Sequence, residues 1–163
     1  MHEVDPLTAA YLAGVVDSDG FITIHRSTRN GRVYHGAVIG ISGTRREPHD
    51  LAASFWGGKV YRYEPKNPSH RPQYQWSRTG TTAVDPIESL LPYLRVKVTQ
   101  AHLALQLQEH IACGRSDDLF PWFGPDYDPI SARDEMRAGI VQAMKALSDE
   151  TPELWGPVGA GSR

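Results

Sequence analysis

The stretch Tyr11–Ile24, YLAGVVDSDGFITI, decides the fold. An apolar run with helical periodicity stops at Asp17, Ser18, Asp19 and Gly20, and an alternating run follows at once. That change of period across one glycine marks a helix feeding directly into a strand. Upstream, Asp5-Pro6 supplies a capping aspartate and a proline suited to the first helical position. The helix therefore ends on two carboxylates. Its last carbonyl groups disfavour an anion there by roughly 0.3–1 kcal/mol, so the arrangement needs a reason.

Outward from this point, FITIHRST and VYHGAVIGIS alternate on either side of Asn30-Gly31, a strong hairpin signal. Glu47-Pro48 opens a short helix, PHDLAASFW, that Gly57-Gly58 closes. KVYRYE and PQYQWSRT form a second hairpin around the loop PKNPSH. DPIESLLPYL is a short helix broken at Pro92, and VTQAHLALQLQEHIAC is an amphipathic helix ending at Gly114. After the connection LFPWFGPDYDP, a last helix, SARDEMRAGIVQAMKALSD, is expected with Ser131 as its cap. The order predicts an α+β domain over residues 1–150 with a C-terminal tail, 151–163. Its core is αββαββα, with a four-stranded antiparallel sheet, one face polar and the other covered by helices.

Composition bounds the function. The chain of 163 residues is 40% hydrophobic and 22% charged, as a globular domain is. No apolar run reaches bilayer length and no signal-like segment opens the chain, so no membrane partner and an intracellular location are expected. A single cysteine, Cys113, excludes an internal disulfide and a cysteine-rich zinc site, and reads as a small buried hydrophobe. The net charge of −2 hides a division. His25–Arg78 carries ten Lys and Arg against three Asp and Glu, whereas Thr99–Arg163 carries five against ten. One basic half offered to a polyanion fits this pattern.

Ala10, Ala13, Gly14 and Asp17 recur at spacings of three and four, which places them on one helical face. Small residues so arranged let two backbones approach closely. No second copy of the motif is present, so the partner helix is expected from a second molecule. Two-fold pairing would crowd the aspartates of both chains, and a hard divalent cation would relieve the crowding. Two plainer readings compete: a helix stop with a turn, and a fragment of a calcium loop. The latter lacks the later ligands and runs straight into a strand.

Leu12–Gly20, LAGVVDSDG, resembles the motif that names the LAGLIDADG homing endonucleases, and the strand-hairpin context follows it as that family requires. The resemblance runs from about Thr8 to Asp149 and includes LLPYLRVKVTQAHLALQL; a single motif resembles the homodimeric branch. It implies that the sheet forms a DNA-binding saddle and that the motif helix makes the dimer. It also implies metal-dependent hydrolysis of double-stranded DNA at a long pseudo-palindromic site, with Mg2+ as cofactor and Ca2+ or Mn2+ able to replace it. Asp19 matches the metal ligand, the Ser18 carbonyl completes the coordination, and Asp17 matches the acid that ties the helix ends together. Lys97 matches the lysine near the scissile phosphates. Where the family often has Gln after the second strand, Gly43 or Thr44 stands here, a departure from the pattern. The basic residue that follows is Arg45 or Arg46, with Arg46 assigned to catalysis and Arg45 to DNA contact.

Counting alternate positions, the DNA-binding face comprises Thr23, His25, Ser27, Arg29, Arg32, Tyr34, Val38, Lys59, Tyr61, Tyr63, Gln73, Gln75 and Ser77. The other readings are a non-cleaving maturase or regulator on the same scaffold and a metal-binding structural dimer.

Overall fold

Asp5 opens the first helix as the sequence implies. In the computed structural model, which describes residues 4–67, 69–113 and 129–149, its carboxylate accepts from the N–H groups of Leu7 and Thr8, both at 3.1 Å. The Thr8 side chain, together with these backbone bonds, holds its carboxyl below the usual carboxylate range. Pro6 occupies the first turn of α1 (Pro6–Asp19). Gly20 ends the helix and begins β1 (Gly20–Arg29). Its φ of −104° is open to any residue, so conformational freedom is not what glycine provides. A Cβ there would lie 2.6 Å from the Val16 Cα and 2.7 Å from the Gly40 carbonyl oxygen. Only glycine lets the helix turn into the strand this close to the sheet.

Asn30 and Gly31 both take positive φ, 50° and 73°, and make the two-residue turn into β2 (Arg32–Gly43). α2 (Glu47–Trp56) leads to β3 (Tyr61–Tyr63), which is shorter than KVYRYE suggested and leaves Lys59 ahead of the strand. β4 (Gln73–Thr79) follows, then a 3-10 turn (Gly80–Ala83) and α3 (Val84–Leu90). α4 (Val98–Cys113) and α5 (Pro129–Asp149) complete the described elements. α5 opens at Pro129, so Ser131 lies inside its first turn rather than at its cap; proline suits that first position. Gly114 and the tail 151–163 lie outside the described residues.

The sheet is antiparallel in the order β1-β2-β4-β3. Ile22 pairs with Ile39, Ile24 with Ala37, and Ile41 with Trp76, which puts the apolar members of three strands on one face. That face packs against Ala9, Leu12, Ala13 and Val16 of α1 and Ala101 and Ala104 of α4 in one core. Trp76 is fully buried, and its indole N–H donates to the Gly57 carbonyl at 2.8 Å. Burying so large a ring is worth about 3 kcal/mol only when its N–H is satisfied, as here. No helix among the described residues is long and apolar enough to cross a membrane.

A candidate nuclease centre and DNA-facing sheet

The two motif aspartates, two positions apart in sequence, do different work. The Asp17 carboxylate accepts from three consecutive backbone N–H groups, Arg95 at 2.7 Å, Val96 at 3.1 Å and Lys97 at 3.0 Å. Those groups lie just ahead of α4, whose N-terminal end carries partial positive charge. In return the Lys97 ammonium donates to the Asp17 carbonyl at 2.6 Å, satisfying a group at the end of α1. One residue thus closes the C-terminus of one helix onto the N-terminus of another. This resolves half of the electrostatic puzzle: Asp17 sits at the end of α1 because it serves the beginning of α4.

Asp19 is exposed, and its side chain has no hydrogen bond or ion pair among the described residues. It lies close enough to Lys97 for its charge to be felt there. Burial pulls the half-buried Lys97 ammonium below the usual lysine range, while Asp17 and Asp19 oppose the shift. Ser18 is exposed, its hydroxyl donating to the Val15 carbonyl at 3.2 Å. The oxygens of Asp19 and of the helix tip suit a hard divalent cation in kind. No group of three His, Cys, Asp or Glu side chains able to hold a metal occurs among the described residues.

Gly20 pairs with Ile41, so Ser42, Gly43 and the turn that follows run on beside the motif tip. Both candidate arginines lie in this turn and are exposed. Arg46 is tied to Asp50 at 3.0 Å on the surface of α2, an exposed pair that contributes little to stability. Arg45 has no ion pair among the described residues, which makes it the more available charge.

The polar face has the register that alternation implied. Thr23 pairs with Val38, Ser27 with Tyr34, Tyr61 with Gln75 and Tyr63 with Gln73, and Gly40 pairs with Ser77. His25, on the same face of β1, is exposed, as are Lys59, Arg32 and the three tyrosines Tyr34, Tyr61 and Tyr63. Arg29 ends β1 next to the hairpin turn. Two residues change status. Val38 shares this face but keeps only 8% of its surface between flanking strands, so it packs the sheet instead of presenting a contact. Ser42, opposite Gln75, belongs to the face and was missed, although it continues the Tyr34–Gly40 alternation by one step. The inward-facing Arg62 reaches solvent and pairs with Glu64 at 2.7 Å.

Of the four residues expected at a dimer face, two are engaged within their own chain. Ala13 is fully buried in the core of its own chain, and the Asp17 carboxylate is taken by the loop before α4. The exposed stripe of α1 comprises Leu7, Ala10, Tyr11, Gly14 and Ser18. Leu7 is 83% exposed, and nothing lies within 4 Å of a Cβ built on Gly14. The helix is apolar all round, so small-residue spacing alone could not say which face meets its own core.

Comparison of the sequence with protein-family models and with characterised proteins gives no match. Comparison of the structure does. The homing endonuclease I-CvuI in complex with its target superimposes over 88% of this chain and 83% of its own, with a TM-score of 0.64 and 22% identity. The archaeal intron-encoded homing endonuclease I-Vdi141I, complexed with DNA, matches over 94% of this chain and 89% of its own, at a TM-score of 0.63 and 11% identity. The LAGLIDADG homing endonuclease I-SmaMI, bound to cleaved DNA, matches at a TM-score of 0.60 and 14% identity. This chain carries the LAGLIDADG homing endonuclease fold. The I-SmaMI match covers 83% of this chain but only 43% of I-SmaMI, so this chain spans about half the length of that protein.

Proposed function

We propose that the chain is a site-specific, divalent-metal-dependent endonuclease of the LAGLIDADG family that acts on double-stranded DNA as a homodimer. The observation that carries this reading is the division of labour at the motif tip. Asp17 is consumed by structure, while Asp19 stands exposed beside Lys97. A purely architectural helix stop needs the first carboxylate and has no use for the second.

Two copies related by a dyad bring two Asp19 side chains together, and with the Ser18 carbonyls they complete the site that one chain leaves half-built. Magnesium held there, or calcium or manganese in its place, supplies charge neutralisation and Lewis acidity at the scissile phosphodiester. A water oxygen bonds to phosphorus as the bond to the 3′ oxygen breaks. Lys97 spends one N–H on the Asp17 carbonyl and keeps two to meet developing negative charge. Arg45 and Arg46 stand on the neighbouring turn to neutralise flanking phosphates. The outer sheet face enters the major groove, where Gln73, Gln75, Arg32 and Lys59 offer donors to base edges. Each half-site meets the same surface, so the target is pseudo-palindromic.

The test is incubation with magnesium and a randomised double-stranded DNA library, with sequencing of cut ends. Cleavage at one sequence by the native chain, lost in Asp19→Asn, is the expected result. Selective retention without cutting would identify a binding protein on the same scaffold, and neither outcome would leave a structural dimer.

A further inference from the structure

The turn joining β2 to α2 is closed from inside by a residue outside the motif. His49 lies in the first turn of α2 and is only 1% exposed. Its Nδ1 is 2.8 Å from the Arg45 carbonyl oxygen. Because the partner is an acceptor, Nδ1 carries the proton, and Nε2 is the bare nitrogen of the neutral ring. That Nε2 is buried and makes no well-formed hydrogen bond among the described residues, although the backbone carbonyls of Ile41 and Tyr74 also lie near the ring. The ring fills the space beside Gly43, whose built Cβ would lie 3.8 Å from Cε1, and it tilts against Tyr74 with centroids 6.2 Å apart. An aliphatic side chain would fill this place without a stranded nitrogen. The imidazole is therefore disfavoured here as packing, and the bond to Arg45 is what it adds.

We propose that His49 is a positioning residue that holds the Gly43–Arg46 turn, and with it Arg45, against the motif tip; this rests on the endonuclease reading. The geometry connects the two directly. β2 runs past the Gly20–Ile41 pair, so the turn it enters stands beside Asp19, and the residue whose carbonyl His49 holds is the arginine left without an ion pair. Burial, which favours the neutral ring, also pulls it below the ordinary imidazole range, against the opposing pull of the Arg45, Ile41 and Tyr74 carbonyls and of Asp50. An arginine on an unpinned turn still attracts DNA, but it is no longer preorganised at the scissile phosphate. The loss should therefore fall on the rate and spare the affinity.

The test compares His49→Leu, which removes the donor, with His49→Asn, whose amide N–H can stand where Nδ1–H does. Each is measured as the intact chain on the target recovered from the library, alongside backbone order parameters for Gly43–Arg46. Expected for His49→Leu is a fall of about tenfold or more in single-turnover cleavage, with DNA affinity in EDTA within about threefold of native. Order parameters in the turn should drop while those of β2 hold. His49→Asn should recover most of the rate and the order. Native-like cleavage and order in His49→Leu, or equal losses in both variants, would overturn the proposal. If the native chain cuts nothing, the endonuclease reading fails, and an unchanged turn in His49→Leu would overturn the positioning role by itself.

Discussion

At the scale of single residues, Asp17 and Asp19 make opposite predictions from nearly the same sequence position. Asp17 holds three backbone donors that no other group in reach replaces. Hydrogen bonds to a charged acceptor contribute roughly 1.5–3 kcal/mol each when buried, less at a half-exposed site. Asp17→Ala should therefore lower unfolding stability by about 1–3 kcal/mol, read as a shift in the urea midpoint. Asp19→Asn should leave that midpoint unchanged or raise it slightly, because it removes an anion from a helix C-terminus, while abolishing cleavage. The reverse ranking in urea would contradict the assignment. The existence of the acidic pair was legible in YLAGVVDSDG, but its division was not. The partners of Asp17 are 78 to 80 residues away and are backbone groups, which side-chain identity does not encode. His49 was illegible for the same reason: alone in a helix, a histidine does not announce which carbonyl it meets.

Among the elements, the strands were readable and the faces of α1 were not. A strand has period two, so Ile22, Ile24, Ile39 and Ile41 declared the inner face, and Asn30-Gly31 fixed the register. β3 came out shorter because only Tyr61–Tyr63 finds a ladder partner in β4. In α1, leucine, valine, alanine and tyrosine surround the axis, and the contrast that would orient it is absent. Its exposed stripe yields the oligomer prediction. Glycine within a helix costs roughly 1 kcal/mol relative to alanine, and no contact inside the chain explains Gly14. In the proposed dimer a second α1 would press against it. Gly14→Leu should preserve the fold by circular dichroism and raise monomer stability. It should also turn a dimer into a monomer in sedimentation velocity. A native chain that sediments as a monomer at micromolar concentration would remove the shared metal site.

For the whole molecule, two charge-dependent behaviours follow. The first concerns acid. His49 is lowered by burial, and His35 by burial followed by Arg26, Arg137 and His25. The unfolded chain binds protons near the ordinary value of 6.5 while the folded one still refuses them. Stability thus rises with pH through the window below 6.5 and falls on acidification. The urea midpoint should be lower at about pH 5.5 than at about pH 7.5, and His49→Asn should flatten part of that slope. The second concerns salt. Ten basic residues against three acids fall between His25 and Arg78, the span that builds most of the sheet and its turns, while Thr99–Arg163 is acidic by five charges. A chain of net charge −2 binds DNA only if this polarity is spatial, with the basic surface apposed and the acidic helices turned away. Lysines and arginines that displace counterions make affinity fall steeply with salt. With roughly six phosphates neutralised, log K should decline with log salt at a slope near −5, about a thousandfold between 50 and 200 mM. Replacing Arg32 or Lys59 by Ala should reduce that slope by about one for a phosphate contact, whereas a base contact should relax specificity at one position instead. A flat salt response in fluorescence anisotropy would mean that the sheet is not the surface that meets DNA.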